Sequence, residues 1–357
     1  MSKVEIQSQS NGALTFAAFL IIISVAMYAA DIITPILLAL FISVVLAQPI
    51  NWLEKKKVSS GWAIFIVLVG SLLIFLGMGE IIGRSVSQFS QDSPLYANRL
   101  TALSTDVFNS LRGMGFDISL DKLENGISTS KVMNFGAEFL GAVGSLMTNT
   151  FLIIFILIFV LLELNSFSIK MNAILGTSDG SINYFSIIRN NIRHYLGLMT
   201  IISLLTGVLI WIALTIIGVK YAILWAFLAF LLNFIPNIGS IVAGIPAILF
   251  AAIQLGLGGA MWTMVSYLVI NMIVGNVVQP KIMGKGLGLS TLIVFISLIF
   301  WGFIFGTVGM FLSVPLTMIV KIILEQREET KWIAILLGTQ EEAQNIVEKN
   351  DKSAIIM

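Results

Sequence analysis

Long apolar runs separated by short polar stretches make up most of the chain. Most runs are close to the roughly 20 residues that one helix needs to cross the hydrocarbon core of a bilayer, and the last run, 291–324, is too long for a single helix. The pattern predicts an all-α polytopic membrane protein with about eight transmembrane helices, and with two broken or re-entrant hairpins in the C-terminal half. The apolar runs are residues 13–30, 32–50, 62–82, 143–162, 196–217, 221–235, 241–253, 260–278 and 291–324.

A polar helical insertion follows the third run. Its apolar residues recur at helical spacing, which predicts an amphipathic helix; they are Tyr96, Leu100, Leu103, Val107 and Leu111. The predicted organisation is N-terminal transmembrane helices at 1–82, the amphipathic insertion at 83–148, the main transmembrane transport region at 149–325 and a C-terminal tail at 326–357.

Charged residues near the helix ends predict the topology. Lys3 and Lys55–Lys57 closely flank the first two helices, so the positive-inside rule places the N-terminus in the cytoplasm. Lys321 and Arg327 do the same for the C-terminal tail. The helix count then puts the insertion outside. The first run leads through Asp31 into a second run without a small-residue cleavage site, which predicts a retained helix and not a signal peptide.

Composition agrees with a membrane protein and narrows its chemistry. Apolar residues make up 57% of the chain and charged residues 11%, whereas soluble domains carry roughly a quarter charged residues. The formal net charge of +1 gives no reason to expect a nucleic-acid partner. The chain has no cysteine and a single histidine, His194. We therefore expect no metal site and no cofactor, with membrane lipids as the surrounding partners.

Two helix breaks interrupt the C-terminal apolar runs. Pro236 and Gly239 form one, followed by Pro246; Gly306-x-x-Gly309 forms the other, followed by Pro315. Paired broken segments are typical of transporters with inverted repeats, where the substrate binds near the breaks. The alternative is that these Gly and Pro residues only allow close helix packing. We predict hinges or helix breaks at Pro246, Gly306, Gly309 and Pro315.

Uncharged amides lie between the two breaks. Asn271, Gly275 and Gln279 recur every four residues, which would align them on one helix face. An amide in hydrocarbon needs a partner, so each faces either another helix or a polar pathway. The predicted substrate pathway consists of Asn233, Pro236, Asn237, Gly239, Asn271, Asn276, Gln279, Pro280 and Lys281.

Carboxylates are absent from the same region. No Asp or Glu occurs between Asp179 and Glu325, whereas cation-coupled carriers usually bind protons or sodium at buried acids. Glu80 and Glu163 are the remaining candidates. The chain contains neither a Walker phosphate-binding loop nor a His-Glu-x-x-His motif. The residues between Gly284 and Gly288 predict a flexible loop, so we expect no enzyme.

Four C-terminal blocks resemble the autoinducer-2 exporter family. They are Asn233-Phe-Ile-Pro-Asn-Ile-Gly-Ser240, Gly275-Asn-Val-Val-Gln-Pro-Lys-Ile-Met-Gly284, Gly286-Leu-Gly-Leu-Ser290 and Phe305-Gly-x-x-Gly-x-x-x-Ser-x-Pro315. The resemblance implies a bacterial inner-membrane homo-oligomer, with a pentamer as the expected order, that exports the quorum-sensing signal autoinducer-2. Many relatives carry His-Pro or Ser-Pro where this chain has Ser290-Thr291, so it resembles the branch nearest the autoinducer exporters.

The leading hypothesis is a transporter that moves a small polar signalling molecule, autoinducer-2, out of the cell. A monovalent cation–proton antiporter is the alternative within transport, because other branches of the resembled family are linked to that activity. A membrane scaffold or accessory protein that binds a partner through the insertion is a further alternative, and so is a passive channel.

Overall fold

A computed structural model describes residues 20–113, 150–175, 181–236, 238–283 and 288–356, together with residues 14, 17 and 18. These residues are almost entirely helical and form no strand. Residues 20–28 form a helix that leads into the first complete one. The helices are α1 (Ala30–Lys55), α2 (Ser60–Gly113), α3 (Thr150–Leu175), α4 (Ser181–Ile217), α5 (Ala222–Leu232), α6 (Gly239–Ile273), α7 (Gln279–Met283), α8 (Thr291–Glu325), α9 (Lys331–Leu337) and α10 (Gln340–Ile356).

Five helices within the described residues are long and apolar enough to cross a membrane. The segments are Ala30–Lys55, Ser60–Phe89, Asn190–Ile217, Gly239–Ile282 and Thr291–Glu325. Large apolar side chains on them are exposed, including Ile74 at 70%, Ile216 at 80% and Phe303 at 70%. Such exposure would be unfavourable in water and suits contact with lipid. The prediction of an all-α membrane chain is therefore confirmed.

Helix α2 continues far beyond the apolar run that begins it. It has 54 residues, and it does not end near residue 82, where the third apolar run ends. The predicted amphipathic helix with Tyr96 is thus a direct extension of this helix. The remainder of the predicted insertion, 114–148, lies outside the described residues, as do residues 284–287 of the predicted flexible loop.

The chain divides into two compact units. The first comprises Met1–Ala47, Leu152–Leu196 and Lys285–Met357. Within it, the buried Lys321 ammonium on α8 donates to the Gly288 carbonyl at 2.6 Å and to the Glu342 carboxylate on α10. The Ser290 amide donates to the Leu337 carbonyl at 3.0 Å. These bonds attach α9 and α10 to the ends of α8.

The second unit comprises Gln48–Phe151 and Gly197–Gly284. Its core is formed by apolar faces of α4, α5 and α6, with fully buried Ile210, Leu214 and Leu224. Small residues allow these helices to approach closely: a side chain at Gly207 would meet the Ala226 carbonyl. Burial of this apolar face, and not local propensity, stabilises the short helix α5.

Helices α6 and α8 each fold back on themselves at a glycine. Gly256 has φ 77° and ψ −172° within α6, and Gly306 has φ 63° and ψ −146° within α8. The Tyr267 ring of α6 contacts Gly244, on the other side of the Gly256 turn. In α8 the Trp301 indole donates to Thr317 Oγ1 at 2.9 Å. A straight helix would hold both pairs more than 20 Å apart.

Candidate functional site

The predicted amides of α6 lie along its last turns and the segment that follows. Asn271 is half-buried, and the chain then forms a π-helix at Val274–Val278. Asn276 lies exposed within the π-helix and Gln279 is half-buried just after it. A π turn contains more residues than an α turn. The four-residue register from Asn271 to Gly275 and Gln279 is therefore interrupted here, while Pro280 and Lys281 are exposed at the end.

Upstream of Asn271 the same register is intact and carries two hydroxyl groups. Thr263 is 0% exposed and Tyr267 is 3% exposed. Among the described residues, neither hydroxyl oxygen has a hydrogen-bond partner. An unpartnered buried hydroxyl costs about 1–3 kcal/mol. Sequence reasoning missed both residues, although stepping back from Asn271 by four and by eight positions would have found them.

The Tyr267 ring lies against a glycine on the other arm of α6. A Cβ atom at Gly244 would lie 3.1 Å from Tyr267 Cδ1, so glycine is needed for the ring to occupy this position. Ala243, Ala247 and Ala251 of the same arm are fully buried. The two arms of α6 therefore pack closely, with polar groups on one side and small apolar groups on the other.

The first predicted break connects α5 to α6. Asn233 donates from Nδ2 to Ser203 Oγ on α4 at 3.0 Å, so its amide makes a bond between helices. Gly239 lies against the Leu232 carbonyl, where a side chain would clash. Pro236 is half-buried in the turn, and Pro246 is half-buried inside α6. Asn237 lies outside the described residues.

The second predicted break has a structural counterpart in α6. In Gly306-x-x-Gly309 the first glycine forms the turn, and the second lies against the Trp301 carbonyl and the Phe305 side chain. Gly256 and Gly259 repeat this arrangement, since Gly259 lies against the Leu255 side chain. The turn at Gly306 is thus matched by Gly256 and not by Pro236, with which the sequence pattern had paired it. Pro315 is buried in the second arm of α8.

A polar cluster joins the distal part of α2 to the turn between α4 and α5; we call it the Asp92 cluster. One carboxylate oxygen of Asp92 accepts bonds from Lys220 Nζ at 3.1 Å, Tyr221 Oη at 3.0 Å and Tyr96 Oη at 3.2 Å. Gln254 extends the cluster to α6: its side chain accepts from the Lys220 amide at 2.7 Å and donates to the Gly218 carbonyl at 2.9 Å.

Charge and aromatic packing both support the Asp92 cluster. Hydrogen bonds from Lys220 and Tyr221 lower the pKa of Asp92. The bond to Asp92 raises the pKa of Lys220, and burial raises the pKa of Tyr221. The Phe250 ring lies 5.0 Å from that of Tyr96 and 5.4 Å from that of Tyr221, between ring centroids. Tyr221 itself has a left-handed backbone conformation, with φ 59°.

The two acids that an antiporter would need are both paired and exposed. Glu80 accepts from Arg84 Nε at 2.6 Å and Glu163 from Lys170 Nζ at 2.5 Å. Within the parts of the chain that the structure describes, no three His, Asp or Glu side chains group closely enough to hold a metal ion. The uncharged polar face of α6 is the candidate site that remains.

Comparison with known proteins identifies the family. The family model described as "AI-2E family transporter" matches residues 14–329. A candidate transport protein of Haemophilus influenzae is 38% identical, over 92% of this chain and 96% of that protein. The AI-2 transport protein TqsA of Escherichia coli is 36% identical over 87% of this chain and 90% of its own length. Because the match spans most of the sequence, this multi-pass membrane protein belongs to the AI-2E family of transporters.

Proposed function

We propose that the protein exports a small, neutral, hydroxyl-rich signalling molecule, and that this molecule is autoinducer-2. The observation that carries the proposal is the uncharged polar face of α6, with Thr263, Tyr267 and Asn271 in one register. The relative TqsA, named for AI-2 transport, supports the choice of solute. The absence of Asp and Glu between Asp179 and Glu325 disfavours coupling through a buried acid in this region.

The proposed setting is the bacterial inner membrane, with both termini in the cytoplasm. The cationic Lys55–Lys57 segment supports this orientation. In this orientation the turn between α5 and α6 reaches only part of the way across the bilayer, because α5 has 11 residues and a full crossing needs about 20. The fold-back of α8 at Gly306 makes a second re-entrant hairpin. The protein assembles as a homo-oligomer, with a pentamer as the expected order.

The proposed route uses the predicted pathway residues in two groups. Asn271, Asn276, Gln279, Pro280 and Lys281 line its cytoplasmic mouth. Asn233, Pro236 and Gly239 belong to the turn between α5 and α6, and Asn237, which lies outside the described residues, completes the predicted set. The hinge positions are Pro246, Gly306, Gly309 and Pro315. Amide and hydroxyl groups both donate and accept hydrogen bonds, so such a lining suits a neutral solute rich in hydroxyl groups.

Flux of autoinducer-2 into liposomes that contain the purified protein tests the proposal. We expect Asn271→Leu to slow entry at least about tenfold, equivalent to about 1.4 kcal/mol, because the half-buried amide is replaced by an apolar group of similar size. Ser266→Ala on the same helix is the matched control, since the Ser266 hydroxyl bonds to the Trp262 carbonyl of its own helix. Its flux should equal that of the wild type. Wild-type liposomes no more permeable than empty ones would exclude this function.

A further inference from the structure

Two buried hydroxyl groups of α6 differ from three other buried hydroxyls of the described membrane helices. Thr206, Ser297 and Ser313 each donate to a carbonyl of their own helix, at 2.9 Å in every case. Thr263 Oγ1 and Tyr267 Oη are buried and have no such bond within the described residues. Valine and phenylalanine would fill the same volumes without the cost of desolvating a hydroxyl. Packing alone therefore does not explain why Thr263 and Tyr267 carry hydroxyl groups.

The position of the two hydroxyls indicates a common ligand. Residues four apart lie on one face of an α-helix, so Thr263, Tyr267 and Asn271 present their polar groups to the same side. The opposite arm offers Gly244 against the Tyr267 ring and fully buried alanines beside it. Glycine and alanine side chains carry no hydrogen-bonding group, so the polar groups of the second arm are the main source of specificity for a solute bound at this face.

We propose that Thr263 and Tyr267 form the buried end of a solute-binding site, which Asn271 continues toward the cytoplasmic mouth. The site takes a small, neutral, polyhydroxylated molecule. Hydroxyl groups of such a solute supply the hydrogen bonds that the two buried side chains lack, and no carboxylate between Asp179 and Glu325 is present to bind a cation. This inference rests on the proposed transport function and names residues that the sequence pattern did not single out.

Removal of single oxygen atoms tests the site in the liposome flux assay. Tyr267→Phe and Thr263→Val keep the shape of each side chain, and each should raise the KM for autoinducer-2 at least about tenfold. Their thermal unfolding midpoints should equal or exceed the wild-type value, because an unpartnered buried hydroxyl has been removed. Thr206→Val is the control: it loses a bonded buried hydroxyl, so its midpoint should fall while its KM stays unchanged. Wild-type KM values in both site variants overturn the proposal.

A second measurement does not depend on autoinducer-2 as the transported solute. The natural chain has no cysteine, so Thr263→Cys introduces a single thiol. We expect a small hydrophilic methanethiosulfonate reagent to modify it, and saturating autoinducer-2, ribose or glycerol to slow the modification at least severalfold. Thr206→Cys should stay unmodified. If Thr263→Cys is not modified, or if none of the three solutes changes its modification rate, the proposed site is rejected. Protection by ribose without any autoinducer-2 flux would support the site and reject only the proposed substrate.

Discussion

The Asp92 carboxylate connects α2 to the turn between α4 and α5 within the second unit. Three donors from two separate segments share one of its oxygens, and the chain separation between Asp92 and Lys220 is 128 residues. The ion pair is partly exposed, with 36% of the Asp92 side chain accessible. Its contribution is therefore reduced by solvent, and aromatic packing around Phe250 also stabilises this region.

Asp92→Asn should lower the thermal unfolding midpoint at neutral pH, because the charge that attracts Lys220 is lost. The pKa of Asp92 is lowered in the folded protein, so its stabilising effect is present above the ordinary carboxyl pKa of about 3.9 and is lost as pH falls below it. The Lys220 pKa is raised, so its effect is lost only in strong base. The difference between variant and wild type should stay constant from about pH 6 to 9.

Scanning fluorimetry of detergent-solubilised protein from about pH 3 to about pH 9 measures the difference. Glu80→Gln is the control on the same helix, since Glu80 pairs only with the adjacent turn through Arg84 and both groups are well exposed. Its midpoint should change little at any pH. A midpoint difference for Asp92→Asn that persists undiminished at pH 3 would show that the carboxylate charge is not its cause.

At the scale of helices, the C-terminal half contains two similar glycine turns, one at Gly256 in α6 and one at Gly306 in α8. Gly256 and Gly306 both adopt backbone conformations that glycine alone occupies readily, at φ 77° and φ 63°. Gly256→Ala should cost about 1–3 kcal/mol of unfolding free energy, because any Cβ atom disfavours this conformation. Gly258→Ala, two residues away and within regular helix, should be neutral or stabilising by up to about 1 kcal/mol.

Steric crowding does not distinguish Gly256 from Gly258, since a Cβ atom added at either position would have no other group within 4 Å. The comparison therefore isolates backbone conformation. Thermal unfolding of both variants, together with Gly306→Ala, gives the result. Equal midpoints for Gly256→Ala and Gly258→Ala would mean that α6 continues as a straight helix through this region.

The sequence predicted the apolar helices and the turn near Gly306, because length and glycine spacing determine both locally. It did not predict the turn at Gly256, where glycine interrupts an apolar run without a polar break. Thr263 and Tyr267 went unnoticed for a different reason. Neither is unusual in a membrane helix, and their lack of a partner depends on how the two arms of α6 pack. The Asp92 cluster joins segments too distant in the chain for any local pattern to connect.

For the whole molecule, the pairing of helix ends constrains the topology. The Gly288 carbonyl lies 2.6 Å from Lys321 Nζ, so the two ends of α8 lie at the same level. We therefore expect α8 to begin and end on one face of the membrane. If Lys55–Lys57 marks the cytoplasmic face, α2 crosses once after it, and the Asp92 cluster lies outside. The exposed residues Lys56 and Gln91 should then face opposite compartments.

Single cysteines in the cysteine-free chain test this arrangement. A membrane-impermeant maleimide should label Gln91→Cys in intact spheroplasts, and should label Lys56→Cys and Glu329→Cys only after permeabilisation. Labelling of Glu329→Cys distinguishes a hairpin from a single membrane crossing of α8, because Glu329 lies just beyond the helix end. If α8 crossed the membrane once, Glu329→Cys would react in intact cells. Its protection there, together with labelling of Gln91→Cys, requires that α8 begin and end on the cytoplasmic face, as expected if its two arms form a hairpin around Gly306.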